Sequence, residues 1–174
     1  MFTGAPGQLI GCNLDILGKN EIISQTAFSG SIPSIDNGQC YVFSDMTFAL
    51  AADVSAAECL GFTLTIDNFL EARFPNSTIA TEIYSTDRLV TLEMLLPYTS
   101  DEIDLFSQSV TGNSGTMTWT NGGQSTLWTF ANLKCPRRSP VTPSRQGERT
   151  GVLTMTAYMS GTDREVVVTH DSTA

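Results

Sequence analysis

The chain has 174 residues, with 18 acidic side chains against 9 basic ones and a formal charge of −9. That charge repels nucleic acid over most of the surface, and 41% apolar residues with only 16% charged exclude a disordered acidic tail. No apolar run nears the ~20 residues that span a bilayer, and the opening Met-Phe-Thr-Gly-Ala-Pro-Gly lacks the basic flank and long apolar core of a secretory signal.

Twenty-three Thr and 17 Ser set the tone of the composition, and a branched threonine suits a pleated surface. Strands are expected over about 10–17, 21–29 and 40–50. Phe62, Leu64 and Ile66 then alternate with Thr63, Thr65 and Asp67, the period of a strand with one side inward. The stretch 68–87 reads as a long connection, and another strand follows at 88–95. Pro97 ends it. Thr99-Ser100-Asp101-Glu102 has the spacing of a capping box and is followed by Ile103, Leu105 and Phe106, which makes this the one expected helix. Met117 and Trp119 alternate with Thr116, Thr118 and Thr120. Asn121-Gly122-Gly123 then signals a hairpin into a strand over 126–133. A second long connection, 134–150, holds three of the seven prolines. Loops of that length tend to be functional. Leu153, Met155, Ala157 and Met159 alternate with Val152, Thr154, Thr156 and Tyr158; neither side is strongly charged, so both faces are expected to be partly covered. Gly161-Thr162-Asp163 makes a tight turn before a last strand at 165–170. The expectation is one domain over 1–174, all-β with one short helix, built as a sandwich or barrel.

Residues that carry chemistry are sparse. Cys12, Cys40, Cys59 and Cys135 lie far apart without a Cys-x-x-Cys pair, so neither zinc nor any other metal site is expected, and they read as small buried residues. His170 is the sole histidine and the only base available to a Ser or Cys nucleophile. No phosphate-cradling glycine motif or His-Glu-x-x-His occurs, and no cofactor or catalytic residue is assigned. Trp119 and Trp128 alternate with polar residues and are expected in a core or an interface.

Charge is segregated along the chain. Residues 36–104 hold twelve acids and two bases, a balance of −10, whereas 105–150 hold Glu148 against five bases, a balance of +4. Opposite signs on separate segments suit self-association. Arg137, Arg138, Arg145 and Arg149 are therefore candidates for a contact between subunits.

The segments Ala5-Pro-Gly-Gln-Leu-Ile-Gly-Cys-Asn-Leu-Asp-Ile-Leu-Gly-Lys19, Tyr41-Val-Phe-Ser-Asp-Met-Thr-Phe48 and Phe62-Thr-Leu-Thr-Ile-Asp-Asn68 come in an order that resembles the tail tube proteins of long, non-contractile-tailed bacteriophages. The lone helix and the closing strands rich in Thr and Met are also similar, so the resemblance spans about 5–160. Relatives with the Ala-Pro-Gly-Gln segment often carry further sequence before it; the family's first strand is then absent here, or the numbering begins inside a longer protein.

The resemblance implies a β-sandwich whose strands continue a neighbour's sheet into a ring-closed barrel, with six-fold rings stacked head to tail into a tube. It implies a virion protein made in the host cytoplasm. Its partners would be other copies of itself, the tail terminator, the distal tail protein and the tape measure protein, and no membrane. Genomic DNA would pass through the tube without specific binding. Acids lining the bore would repel phosphates, and Asp45, Asp53, Glu58 and Glu93 are the candidates because they lie on or beside strands. The other functions considered are a tail terminator, a head–tail connector, or a small glycan-binding sandwich using the two tryptophans.

Overall fold

The computed structural model describes residues 1–18, 40–50, 59–76, 79–97, 110–135 and 150–172. Within them run β1 (Phe2–Gly4), β2 (Gly11–Cys12), a 3-10 turn (Phe43–Asp45), β3 (Met46–Leu50), β4 (Gly61–Asp67), β5 (Leu70–Arg73), β6 (Glu82–Ser85), β7 (Leu89–Pro97), β8 (Asn113–Asn121), β9 (Gln124–Lys134), β10 (Thr150–Tyr158) and β11 (Val166–Ser172). The fold is all-β, as expected, its strands pair antiparallel, and the single subunit closes no barrel. The expected helix and the expected strand at 21–29 lie outside the described residues, although Val110 and Thr111 beside the former are helical.

Two layers face each other. One has the order β2-β1-β4-β7-β10 and the other β3-β8-β9-β11. The long β9 joins them: Gln124 to Phe130 pair with β11, while Asn132 to Lys134 pair with β10 on the same side. Period-two alternation fills the space between the layers. Phe62 and Leu64 of β4, Val90, Leu92, Met94 and Leu96 of β7, Leu153 and Met155 of β10 are buried against Phe48, Leu50, Met117, Trp119, Trp128, Phe130 and Leu133 of the second layer. Each such side chain contributes about 1.5–3 kcal/mol on leaving water.

Rings also meet across the layers. Phe2 lies 4.9 Å from Trp128 edge to face and Phe62 lies 5.9 Å from Trp119, while within the second layer Trp119 lies 5.8 Å from Trp128. The tryptophans are thus core residues, as one of the two expectations had it. Gly122, with φ 62, takes the first central position of the β8–β9 hairpin, where a II′ turn requires glycine. Gly161, with φ 61, serves the expected turn that closes Ser160 onto Asp163.

Several expectations are corrected. Of the strand at 10–17 only Gly11–Cys12 forms, because no layer among the described residues covers Leu14, Ile16 or Leu17, which are exposed. The region 40–50 opens with a 3-10 turn before β3. The stretch 68–87 holds its own two-stranded sheet, β5–β6, anchored at its base where Ser85 Oγ donates to the Asn68 carbonyl at 2.6 Å and Arg88 Nε to Asn68 Oδ1 at 2.8 Å. Cys12 and Cys40 are exposed rather than buried, Cys59 is half-buried and Cys135 is buried, with no disulfide among them. Burial pushes the Cys59 thiol above its ordinary range.

Two outcomes follow from this packing. Phe130→Ala should lower stability by about 3–5 kcal/mol in urea unfolding of the dispersed protein, against under about 1 kcal/mol for Thr154→Ala on the outer face. A thiol reagent at neutral pH should modify Cys12 and Cys40 first. Cys59 should lag and catch up as pH rises, because burial raises its thiol and leaves less thiolate at any given pH.

Candidate functional site

A two-layer sandwich shows the solvent two broad faces and its strand edges. The registers fix the composition of both faces. On the β4–β7–β10 side one row runs Thr3, Thr63, Glu93, Thr154, and the next runs Thr65, Thr91, Thr156, Lys134. Gly61, Leu95 and Val152 form a third, and both apolar members are more than a third exposed. On the other side the rows are Thr47, Thr118, Leu127, Thr169, then Ala49, Thr116, Thr129, Val167, and then Thr120, Ser125, Asp171. Both faces are ladders of threonine hydroxyls; among the described strands the first carries Glu93, with Asp67 at its end beside Leu89, and the second carries Asp171. This is a neutral, hydrogen-bonding surface with isolated charges.

The structure separates the candidate acids. Glu93 stands exposed in the middle of the first threonine ladder. Asp45 is half-buried and turned to the backbone: its Oδ2 accepts from the Val42 N–H at 2.9 Å, which closes the 3-10 turn. Asp53, Glu58 and the four arginines Arg137, Arg138, Arg145 and Arg149 lie outside the described residues. Asp171, in the corresponding place on the second face, was not among the candidates. The alternation of Val167, Thr169 and Asp171 with Val168 and His170 is the signal that points to it.

Elsewhere, an open cavity of about 810 Å³ lies between Asn13–Leu17 and Ile66–Leu70; its walls are largely apolar, with Asp15 and Asp67 as its carboxylates. His170 Nδ1 lies 2.8 Å from Thr126 Oγ1, which donates to Tyr41 Oη at 3.1 Å. That histidine sits on a strand, bonded to a hydroxyl rather than to a nucleophile–acid pair. Among the described residues no group of three or more His, Cys, Asp or Glu could hold a metal ion, and no helix is long and apolar enough to cross a membrane. With 3% and 6% of their surface exposed, Trp119 and Trp128 offer no ring face to a sugar.

The edges are the remaining feature. Among the described residues β3 bonds only to β8 and β11 only to β9, so each leaves one row of backbone donors and acceptors outward. Threonine faces and open edges are the marks of a structural protein that builds by contact. The chain matches the model of the phage tail tube protein family over residues 2–157, and it belongs to that family. No individual curated protein matches it. Membership makes it a structural component of the phage tail that assembles with copies of itself and with other tail proteins.

The contrast between the two described acids is measurable. Asp45→Ala should cost about 1 kcal/mol through the lost turn-closing bond, while Glu93→Ala should change stability by less than about 0.5 kcal/mol in the same urea titration.

Proposed function

We propose that the protein is the major tail tube subunit of a phage with a long, non-contractile tail, polymerising as stacked six-fold rings into a hollow conduit for DNA during ejection. The terminator, distal tail and tape measure proteins are its partners at the ends and inside the tube. One observation above others supports the reading: a tail tube family member exposes two near-neutral threonine faces. Whichever face turns inward, the bore is lined mostly by hydroxyls with few carboxylates, Glu93 and Asp67 on one face or Asp171 on the other. Hydroxyls hold water without binding phosphate strongly, and rings of carboxylates repel it. Asp53 and Glu58 remain candidate lining acids on the same grounds, and Asp45 a weaker one because its carboxylate is engaged. The basic segment holding Arg137, Arg138, Arg145 and Arg149 is proposed to dock on the acidic 36–104 region of an adjacent subunit or ring, where guanidinium–carboxylate pairs form.

Electron microscopy of the purified protein should show long hollow rods. Single rings that never stack would indicate a terminator or connector instead, and a protein that stays dispersed under all solvent conditions would refute the tube. Removing residues 136–146 should leave a folded subunit that no longer forms rods. In particles, Glu93→Lys and Asp171→Lys should give intact tails, with DNA ejection at low salt slowed several-fold by whichever residue faces the bore. Unchanged ejection in both would discard the electrostatic part.

A further inference from the structure

The β5–β6 ribbon is a sheet of its own, and alternation gives it two unlike sides. Leu70, Ala72 and Ile83 lie on one, and Glu71, Arg73, Glu82 and Tyr84 on the other. At its tip Phe74 and Ile79 are large, apolar and exposed, Phe74 to 55%. The tip is also closed on itself. Pro75 follows Phe74, and Thr81 donates its N–H and its hydroxyl to the Arg73 carbonyl at 2.9 and 3.2 Å.

At the other end of the same ribbon lies the open groove between Asn13–Leu17 and Ile66–Leu70. Leu14 and Ile16 stand exposed on one wall, Ile16 to 85%, and Phe69 and Leu70 on the other. Phe69 holds a φ of 42, in the left-handed region that a bulky residue seldom enters, and its N–H donates to Asp67 Oδ1 at 2.9 Å. Burial within the subunit does not account for that strain, since Phe69 is exposed. Among the described residues the groove's carboxylates are Asp15 and Asp67, and no basic side chain lines it. Within the same residues, neither Asp15 nor Arg73 at the ribbon tip enters an ion pair.

An apolar knob beside a cation and an apolar hole beside carboxylates thus occupy opposite ends of one element. The ribbon cannot fill its own groove. The four residues of β5 span about 13 Å, and the base is pinned where Thr86 donates its N–H and hydroxyl to the Phe69 carbonyl at 3.2 and 3.0 Å. A second copy meets no such bar. Each copy then offers a tip to one neighbour and a groove to another, a heterologous contact that repeats from copy to copy.

We propose that the ribbon tip of one copy seats in this groove of a second copy of the chain, with Phe74 against Leu14, Ile16 and Leu70 and the Arg73 guanidinium on Asp15. The proposal rests on the self-assembly in the tail tube reading and names one of its contacts. It depends neither on the number of subunits in a ring nor on which face lines the bore.

Paired cysteine variants test it in a background carrying Cys12→Ser and Cys40→Ser. Pro75→Cys in one chain and Ile16→Cys in another, told apart by mass, should form a mixed disulfide under mild oxidation when assembled together. Phe74→Ser should keep the wild-type circular dichroism spectrum and raise the concentration needed for assembly by roughly tenfold or more. Arg73→Asp should also weaken assembly, and adding Asp15→Arg to that chain should restore it. Rods without the mixed disulfide, or Phe74→Ser assembling like the wild type, would overturn the docking while leaving the tube reading standing. So would an Ile16→Cys thiol that reacts as slowly as Cys135 in the dispersed protein, because the chain's own residues would then fill the groove. A mixed disulfide in a protein that forms no rods would keep the contact and remove the tube; neither product would remove both.

Discussion

A strand edge cannot be left alone. Every outward N–H and C=O must meet water or another chain, and a long, flat row of them is a template for further pairing. In this protein the interior of each layer is satisfied by neighbouring strands, and the sandwich core is filled by period-two alternation. Among the described residues, the ends of the layer made of β3, β8, β9 and β11 are then the places where backbone groups are left without a strand partner. Proteins that live as monomers blunt such edges with charge or proline. Here β3 carries Met46-Thr-Phe-Ala-Leu50, without either, and β11 carries three successive valines.

The faces complement the edges. In the proposed tube, a subunit with one face to a passing polyanion and another to solvent needs surfaces that hydrate well without holding ligands. Threonine ladders do this while also favouring the pleat. Core and surface are thus written by the same alternation: Leu64 and Leu92 inward, Thr63, Thr65 and Thr91 outward. The net charge of −9 sits mostly outside the sheet faces, which among the described strands display Asp67, Glu93, Asp171 and Lys134.

What was legible in the sequence follows from locality. β4, β7, β8, β9 and β10 announce themselves because alternation is a property of neighbours in the chain, and Gly122 marks its turn for the same reason. β5 and β6 escaped because their Leu-Glu-Ala-Arg and Glu-Ile-Tyr-Ser segments are exposed on most positions and carry no buried side. Leu14, Ile16 and Leu17 misled because apolar alternation shows what could be buried, not whether a layer is there to bury it. Glu93 could be placed on an outer face from Val90, Leu92 and Met94 around it, but the engagement of Asp45 depends on a backbone turn that alternation does not encode. Strand order, and with it the identity of the open edges, is set by contacts between distant segments.

A near-atomic cryo-EM reconstruction of the assembled protein tests the central claim most directly. In the proposed tube, copies that finish one another's sheets should show an unbroken ladder of backbone hydrogen bonds crossing each subunit boundary. Subunits that touch only through side chains, with both edges facing solvent, would contradict it.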